Sequence, residues 1–354
     1  MTRLASSGTS SVVDLSARIF DRLGIDSVQE AMTPRDHPLI SGSGFPANDC
    51  CDRRSIQFVV RTDYNGGPMP HRPHSSLLEE TVAIVGVGLI GGSLAAALRQ
   101  RKATCRVIGV GRDSSRLALA KKAGLIDDGF TDIASVVRLA NMIVFCTPVE
   151  RIAEGVREAL SGSPTDPSLL ITDAGSVKGP ICKALADVPN FIGAHPIAGS
   201  HRHGFEAADG QLFEGKVCVI TPNSSTAQDQ VHRLERFWQS IGMNTVTMAP
   251  DEHDRTLAMT SHLPHVVAAA LAGTLTPDKR FFTGTGFRDT TRIAAGDPAL
   301  WSGVLLQNSE YVVAGIDAVQ NRLESIRLAL TLGNTAILQQ LLEEGRAKRE
   351  ALNP

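Results

Sequence analysis

Residues 81–100 read TVAIVGVGLIGGSLAAALRQ, and the fold class follows from this segment. Residues 82–85 form a short apolar run typical of a buried strand, and a helix is predicted over residues 92–101. The glycines between them follow the pattern Gly86-x-Gly88-x-x-Gly91. A strand, a glycine-rich turn and a helix in this order predict the first βαβ unit of a dinucleotide-binding domain.

The glycine turn has a separate expected role for each glycine. Gly86 permits a tight turn, Gly88 lets the backbone approach a pyrophosphate, and Gly91 lets the helix pack closely on the strand. The phosphates are expected at the helix N-terminus, where free N–H groups and the helix dipole favour anions. We therefore predict cofactor binding by Gly86, Gly88, Leu89, Ile90 and Gly91; a purely structural turn is the alternative interpretation.

Strands and helices alternate on the C-terminal side of this unit. Apolar runs at residues 107–110, 142–145 and 169–172 predict further strands, and a helix is predicted over residues 116–123. This alternation indicates an α/β fold with a Rossmann-type doubly wound parallel sheet. Beyond Pro250 helical patterns dominate, and one of them repeats apolar residues at alternating spacings of four and three: Val312, Ile316, Val319, Leu323, Ile326 and Leu330. An all-α C-terminal domain suited to a bundle or a dimer interface is predicted there.

Three regions are predicted along the chain. Residues 1–78 begin with a Ser-rich tract and contain Asn-Gly-Gly-Pro at residues 65–68, which is typical of a weakly ordered N-terminal extension and linker. Residues 79–250 are predicted to form the dinucleotide-binding Rossmann-type domain. Residues 251–354 are predicted to form the helical domain for substrate binding and dimerisation.

Composition narrows the class of protein. The chain has 354 residues, of which 42% are apolar, and a formal net charge of −2. It therefore carries enough apolar residues for large cores and has no global charge that favours nucleic acid or an anionic membrane. Its six cysteines form no Cys-x-x-Cys pair, no apolar run approaches the length of a membrane span, and no signal or transit peptide is evident. A cytoplasmic location is expected.

The end of the second predicted strand indicates which dinucleotide is used. Sites for NAD usually carry Asp or Glu about 20 residues beyond the glycines, where the carboxylate binds the ribose 2′-hydroxyl. Here the position is Gly111, followed by Arg112, and Ser114 lies close by. A guanidinium suits a 2′-phosphate, and no acid repels it, so NADP is favoured over NAD. Asp113 is the alternative, if it takes the role of the acid.

Several further segments carry residues suited to catalysis. They are TDAGSVK at 172–178, GAHPIAG at 193–199, DRTLAMTSHLPH at 254–265 and GFRDTTR at 286–292. Together with the glycine turn and the strand end Cys146-Thr147-Pro148, they resemble the prephenate/arogenate dehydrogenase family, in matching order from about residue 82 to residue 310. The resemblance implies a Rossmann-type domain, a helical domain that builds a homodimer, and oxidative decarboxylation of prephenate or arogenate by NAD(P) in tyrosine biosynthesis. It also puts Cys146, Thr147 and Pro148 beside the cofactor.

The resemblance implies a role for each matched side chain. His195 corresponds to the catalytic histidine, which accepts the proton of the substrate hydroxyl. Ser176 corresponds to a serine that hydrogen-bonds this hydroxyl or the histidine, or else it caps the following helix. Arg292 corresponds to the arginine that binds a substrate carboxylate, with an inter-domain ion pair as the alternative, and His265 to a substrate-binding histidine that His262 supports. No metal is expected, because the oxidation needs none.

The substrate remains open at this point. Many relatives carry Glu where this chain has His201, and Arg202 and His203 follow it. This basic segment favours prephenate, which has two carboxylates and no ammonium group, whereas NADP use often accompanies arogenate in the family. Two other functions are conceivable: a dehydrogenase of the β-hydroxyacid type, which shares this domain order, and a non-catalytic NAD(P)-sensing protein. The joint presence of Ser176, His195 and Arg292 favours an enzyme.

Overall fold

One eight-stranded sheet organises the part of the chain that the computed structural model describes, which is residues 80–161, 168–199, 202 and 204–352. The extension predicted over residues 1–78 lies outside this part, as do His201 and His203. The strands are, in chain order, β1 (Thr81–Val85), β2 (Arg106–Val110), β3 (Asp128–Phe130), β4 (Met142–Phe145), β5 (Leu170–Asp173), β6 (Phe191–Pro196), β7 (Val217–Thr221) and β8 (Asn244–Thr247).

The strand order is β3-β2-β1-β4-β5-β6-β7-β8. Strands β1 to β6 are parallel, β7 runs antiparallel to β6, and β8 runs parallel to β7. The order reverses direction at β1, between β2 and β4, and ligands of such sheets bind at this switch point, beyond the carboxyl ends of the strands. The sheet therefore predicts a ligand site at the ends of β1, β2 and β4.

Helices connect the strands and then form the rest of the described chain. Those between strands are α1 (Leu89–Gln100), α2 (Ser114–Lys122), α3 (Val149–Leu160), α4 (Gly179–Ala184) and α5 (Gln228–Ser240). After β8 follow α6 (Pro250–Leu257), a π-helical turn (Ala258–His262), α7 (Leu263–Gly273), a 3-10 turn (Pro277–Phe282), α8 (Thr285–Thr291), a 3-10 turn (Arg292–Ala295), α9 (Pro298–Gln307), α10 (Ser309–Thr331) and α11 (Thr335–Glu350). In the described part of the chain, none of them combines the length and apolarity that crossing a membrane requires.

Two apolar clusters cover the two faces of the sheet. Because neighbouring strand residues point to opposite faces, Val82 and Ile84 of β1 belong to one cluster, and Ala83 and Val85 belong to the other. All four are at least nine-tenths buried. Strands covered on both faces are continuously apolar, which explains why β1, β2 and β4 could be predicted from their sequence.

The predicted fold class is confirmed, and several element boundaries are corrected. Helix α1 begins at Leu89, three residues before the predicted start, because Gly91 and Gly92 are accommodated inside it by close packing. Strand β5 ends at Asp173, one residue later than predicted. Strands β3, β6, β7 and β8 were not predicted: β3 has only three residues and no continuous apolar run, and β6 contains Gly193 and ends on Pro196, both of which weaken a strand pattern. The described chain is all helical after β8; the domain division at residue 250 stays a prediction.

Candidate active site

The glycine turn after β1 is shaped by close backbone contacts. Gly86 has a φ of +93°, and its N–H donates to the carbonyl of Val110 at 2.8 Å. A Cβ at Gly91 would lie 2.2 Å from the carbonyl oxygen of Gly86, so no larger residue fits there without a shift of the turn. A Cβ at Gly88 would meet nothing within 4 Å. Backbone conformation and close packing therefore account for glycine at positions 86 and 91, whereas the space beside Gly88 is open to a ligand.

A cleft of about 750 Å³ opens at this turn, at the switch point of the sheet. Seven of the residues predicted to bind the cofactor line it: Gly86, Gly88, Gly111, Arg112, Cys146, Thr147 and Pro148. The N-terminus of α1 begins at the cleft, and no side chain caps it at Gly88, so its first N–H groups can meet an anion. The shape and the donors of this cleft fit the pyrophosphate of a dinucleotide.

The remaining predicted cofactor residues do not line the cleft. Leu89, Ile90 and Gly91 belong to the first turn of α1, and Ser114 is an exposed residue at the start of α2. Since a pyrophosphate at this turn would meet backbone N–H groups, Leu89 and Ile90 can contribute only through their main chain. Burial raises the pKa of the Cys146 thiol, which fits a packed residue rather than a reactive one.

Two arginines close behind β2, Arg112 and Arg116, line the cleft. Asp113, the alternative acid, caps α2 by accepting from the backbone N–H of Ser115 and Arg116, and this bond explains its presence. The Arg116 guanidinium donates to Glu206 at 3.2 Å. Arg112 is exposed, lines the cleft and forms no ion pair with a carboxylate of the described residues.

His195 lies near the carboxyl end of β6 and begins a buried chain of polar side chains. Its Nδ1 is 2.8 Å from Nε2 of His253, and Nδ1 of His253 is 2.7 Å from a carboxylate oxygen of Asp254. The two oxygens of Asp254 accept from the backbone N–H groups of Lys178 and Gly179, each at 2.7 Å. Asp254 belongs to α6, so the first helix after the sheet is linked through His253 to His195, the predicted catalytic histidine.

A buried ion pair supports the strand that carries His195. The Lys178 ammonium contacts the carboxylate of Asp173 and donates to the carbonyl of Ala194 at 2.9 Å. Asp173 in turn accepts from the backbone N–H of Ala194 at 3.1 Å and of Gly175 at 2.8 Å. Both charged groups are fully buried, and their paired hydrogen bonds compensate for the lost hydration. The pair joins the end of β5 to β6 immediately before His195.

The environment of His195 keeps its imidazole uncharged. Burial is the first cause of the lowered pKa of His195, and the neighbouring His253 and the charge of Lys178 lower it further. The pKa lies well below the usual value of 6.5, so the neutral form dominates at pH 7. A neutral imidazole can accept a proton, which is what the predicted role of His195 requires.

A second histidine, His262, is oriented by Asn308, which also binds α6. Asn308 donates one amide hydrogen to the carbonyl of Asp254 at 2.8 Å, and its other amide hydrogen points to Nδ1 of His262 at 3.0 Å. His262 therefore accepts at Nδ1 and carries its proton on Nε2. This Nε2–H is buried and has no partner among the described residues. An orphaned buried donor of this kind is costly unless a ligand meets it.

Acidification is expected to destabilise the fold through the buried histidines. Burial lowers the pKa of His262 to about 4 from a usual value of 6.5. Between these values the unfolded chain binds a proton that the folded chain does not, so stability falls as the pH falls below 6.5. From pH 7 to pH 5, His262 alone should cost about 2 kcal/mol.

Denaturant unfolding at pH 7 and pH 5, at one protein concentration, checks this effect. In His262→Asn the amide oxygen can still accept from Asn308, but the side chain does not titrate. The loss of stability on acidification should then be smaller than in the unchanged protein by about 2 kcal/mol. An identical loss in both proteins would show that His262 is not the group responsible.

The predicted substrate residues of the helical part lie on adjoining segments. His265 is buried and stacks on the ring of Trp301, with 3.7 Å between ring centroids. A Cβ at Gly296 would contact both rings, so the turn that follows Arg292 packs against His265. Arg292 is exposed and forms no ion pair with a described carboxylate, and Nδ1 of His265 is buried without a hydrogen-bond partner among the same residues. In the same described residues, no cluster of three or more His, Cys, Asp or Glu side chains could hold a metal ion.

Ser176 is the predicted site residue for which the structure shows least. It is half-buried in the loop between β5 and α4, and it makes no hydrogen bond with His195 or with another described residue. It does not cap α4 either, since Asp254 binds the N–H groups at that helix start. Its predicted role, a hydrogen bond to the substrate hydroxyl or to the histidine, stays a prediction.

Five residues in the surroundings of the predicted site residues had no predicted role: Lys178, His253, Asp254, Asn308 and Trp301. Lys178 and Asp254 stood inside or at the edge of quoted segments, but without assigned roles. His253 precedes Asp254 directly, and a buried His-Asp pair at the start of a helix is the one local signal that could have identified it. Asn308 and Trp301 have no local signal, because their partners lie far away in the sequence.

Two family models match this chain. Residues 94–247 match the model described as prephenate dehydrogenase, nucleotide-binding domain. Residues 249–344 match the model described as prephenate dehydrogenase, dimerization domain. Together the two matches cover well over half of the chain.

Individual relatives agree with these models. The chain is 35% identical over 260 residues to a prephenate dehydrogenase of Bacillus subtilis, covering 71% of this chain and 70% of the relative. It is 34% identical over 285 residues to a cyclohexadienyl dehydrogenase of Zymomonas mobilis, covering 77% of this chain and 95% of the relative. Among solved structures, prephenate dehydrogenase from Aquifex aeolicus in complex with hydroxyphenyl propionate and NAD+ superimposes with a TM-score of 0.72 at 32% identity, covering 77% of this chain and 98% of that chain.

Proposed function

Because this chain belongs to the prephenate dehydrogenase family, we propose that it oxidises and decarboxylates prephenate, arogenate or both on the route to tyrosine, with NADP as the preferred cofactor. The protein is a nicotinamide-dependent oxidoreductase. Family membership sets aside the β-hydroxyacid dehydrogenase and the non-catalytic sensor. The observation that carries the proposal is His195, an uncharged buried imidazole near the end of β6 whose Nε2 meets no partner among the described residues.

The chemistry assigns two proton transfers to His195. A bound nicotinamide dinucleotide supplies the acceptor for the hydride that leaves C4 of the substrate ring. As that hydride leaves, His195 accepts the hydroxyl proton, and the C4 hydroxyl becomes a ketone. The bond between C1 and its carboxylate then breaks, its electron pair aromatises the ring, and CO2 departs. The imidazolium of His195 returns its proton to the C4 oxygen, which completes the phenol.

The substrate carboxylates need cations and donors that hold the ring in one orientation. We assign Arg292 to one carboxylate, because its guanidinium is exposed and has no ion pair with a described residue. His265 lies beside the same turn, and His262 carries a buried Nε2–H that has no partner in the described part of the chain. These groups bind prephenate and arogenate alike, since both substrates carry two carboxylates, so the choice between them stays open.

The proposed preference for NADP rests on the residues that directly follow β2. Arg112 lines the cleft and forms no ion pair with a described carboxylate, whereas Asp113 is already engaged as a helix cap. Nothing in the packing forbids an acid at Gly111, since a Cβ there would meet only the side chain of Leu117 at 3.6 Å. A guanidinium and a 2′-phosphate form hydrogen bonds between two oppositely charged groups, whereas the 2′-hydroxyl of NAD is neutral and offers no such charge.

Cofactor preference is expected to change with two substitutions. Arg112→Ala should raise the KM for NADP about 30-fold and leave that for NAD within about twofold, because hydrogen bonds to charged groups contribute roughly 1.5–3 kcal/mol. Gly111→Asp should favour NAD, since the new carboxylate binds the ribose 2′-hydroxyl and repels a 2′-phosphate.

Steady-state kinetics with both cofactors provide the measurement, and Arg151→Ala is the matched control. Arg151 also lines the cleft, but it is paired with Glu154 on α3. Its removal should affect NAD and NADP alike. If Arg112→Ala weakens both cofactors equally, the assignment of the 2′-phosphate to Arg112 is wrong.

A homodimer formed through the helical part is proposed. The C-terminal match is to a dimerization domain. Large apolar side chains are exposed along the helices after β8, including Leu306, Leu323, Leu330, Leu332 and Leu342. A surface of this kind is typical of an interface between subunits. The cytoplasmic location expected from the sequence stays a prediction.

The function is tested by following absorbance at 340 nm with prephenate and with arogenate, each combined with NAD and with NADP. Reduction of cofactor in at least one of the four mixtures is expected, with the fastest rate in a mixture that contains NADP. This result would identify the substrate and the cofactor together. Four flat traces from folded protein that binds the dinucleotide would overturn the proposal.

A further inference from the structure

The carboxylate of Asp254 can only accept hydrogen bonds. One oxygen accepts from the backbone N–H of Lys178 and the other from that of Gly179, each at 2.7 Å. The first oxygen also lies 2.7 Å from Nδ1 of His253. Because the carboxylate carries no proton, the hydrogen in this third bond belongs to Nδ1 of His253.

The proton on Nδ1 determines the other nitrogen of His253. Burial lowers the pKa of His253, which keeps the ring neutral and leaves one proton for its two nitrogens. Since Nδ1 holds that proton, Nε2 is a bare acceptor. The buried ammonium of Lys178 further disfavours a second proton on this ring.

The bare Nε2 of His253 then determines the tautomer of His195. It lies 2.8 Å from Nδ1 of His195, and two bare nitrogens at this distance would repel each other. We propose that His253 and Asp254 are positioning residues that hold the proton of His195 on Nδ1 and thereby leave Nε2 as the base. The role as base rests on the proposed function, whereas the tautomer is a property of the folded protein.

The hydrogen bonds that link His195, His253 and Asp254, here called the positioning chain, act before and after proton transfer. Before it, the bond to His253 excludes the tautomer with the proton on Nε2, which could not accept the hydroxyl proton. It also fixes the ring, which meets the His253 ring edge to face at 69°. After the transfer, the same Nδ1–H belongs to an imidazolium, and its bond to His253 becomes charge-assisted. The positioning chain ends on Asp254 of α6. The docking of α6 against the start of α4 therefore controls the tautomer and the ring orientation of His195.

Two substitutions at one position separate positioning from packing. His253→Leu keeps an apolar volume but offers no acceptor to His195. His253→Gln places an amide oxygen near the position of Nε2, where it can accept from Nδ1 of His195. His253→Leu should lower kcat about 100- to 10,000-fold, the range for loss of general-base catalysis, with the substrate KM within about threefold. His253→Gln should stay within about tenfold of the unchanged enzyme.

The matched control is His232→Leu, the same change at an exposed position of α5, and it should leave the kinetics unchanged. Equal loss of kcat in His253→Gln and His253→Leu would overturn the proposal. A rise in substrate KM with unchanged kcat in His253→Leu would overturn it as well, because a binding residue would behave so.

Nitrogen NMR of 15N-histidine-labelled protein reads the tautomer without any turnover, with His195→Asn identifying the His195 signals. A protonated Nδ1 and a bare Nε2 are expected in the unchanged protein, whether or not it oxidises either substrate. A proton on Nε2 of His195 would refute the positioning chain even in an active enzyme. Inactivity together with the expected tautomer would instead refute the proposed function alone.

Discussion

His195→Asn is expected to lower kcat about 10,000-fold and to leave dinucleotide affinity within about twofold. Asparagine can still donate to Nε2 of His253 from its amide, so the buried chain and the end of β6 should persist. What is lost is the bare nitrogen that takes the hydroxyl proton. Without an acceptor for that proton, loss of the hydride would leave a protonated ketone, which is a far less stable product.

Steady-state rates together with titration of NADPH fluorescence measure the two effects separately. His232→Asn, the same substitution at an exposed histidine, serves as the control and should behave as the unchanged enzyme. A residual kcat within about tenfold of normal would mean that another group removes the hydroxyl proton. A parallel loss of dinucleotide binding would point to a structural role for His195.

Gly88→Ala and Gly91→Ala should have different effects: the first should weaken dinucleotide binding, and the second should destabilise the fold. A Cβ at Gly88 meets nothing within 4 Å, so Gly88→Ala should fold with normal stability. It should weaken dinucleotide binding about 100-fold, because the methyl group occupies the space through which the pyrophosphate approaches the backbone. A Cβ at Gly91 lies 2.2 Å from the carbonyl oxygen of Gly86, so Gly91→Ala should lose about 3 kcal/mol of stability.

Denaturant unfolding and dinucleotide titration of both variants distinguish these outcomes. The unchanged stability of Gly88→Ala is the internal control for its loss of affinity. Normal dinucleotide affinity in Gly88→Ala would show that the pyrophosphate does not approach this turn. Normal stability in Gly91→Ala would contradict the close packing between the turn and α1.

Strands β1, β2 and β4 could be predicted because their determinants are local, whereas β3, which has only three residues, was not predicted. The continuous apolar runs of β1, β2 and β4 reflect burial on both faces, and the turn after β1 needs glycine for reasons of backbone geometry. The helix α10 could likewise be predicted from its apolar spacing. Strand β6 could not, because Gly193 and Pro196 weaken its pattern and its pairing with β5 and β7 stabilises it instead.

Segments of the sequence could indicate single candidate site residues but not the contacts between residues. His195, Arg112 and Arg292 were predicted as site residues in this way, and their roles stay predictions, whereas the long-range contacts around the site could not be predicted. His253 lies 58 residues from His195, and Asn308 lies 46 residues from His262. Only the folded sheet and the docking of α6 bring these pairs together. Ser114 was predicted as a cofactor residue from its proximity in the chain; it is exposed at the start of α2 and does not line the cleft, and its role stays a prediction.

The proposed function requires that one site couples the oxidation of the ring to its decarboxylation. The most direct measurement is an end-point assay that quantifies reduced cofactor, released CO2 and aromatic product from the same reaction with the preferred substrate. Equal amounts of all three are expected, and His195→Asn should form far less of each in the same reaction time. Reduced cofactor without an equal amount of CO2 and aromatic product would contradict the proposed function, because the oxidised ring would then leave the site with its carboxylate.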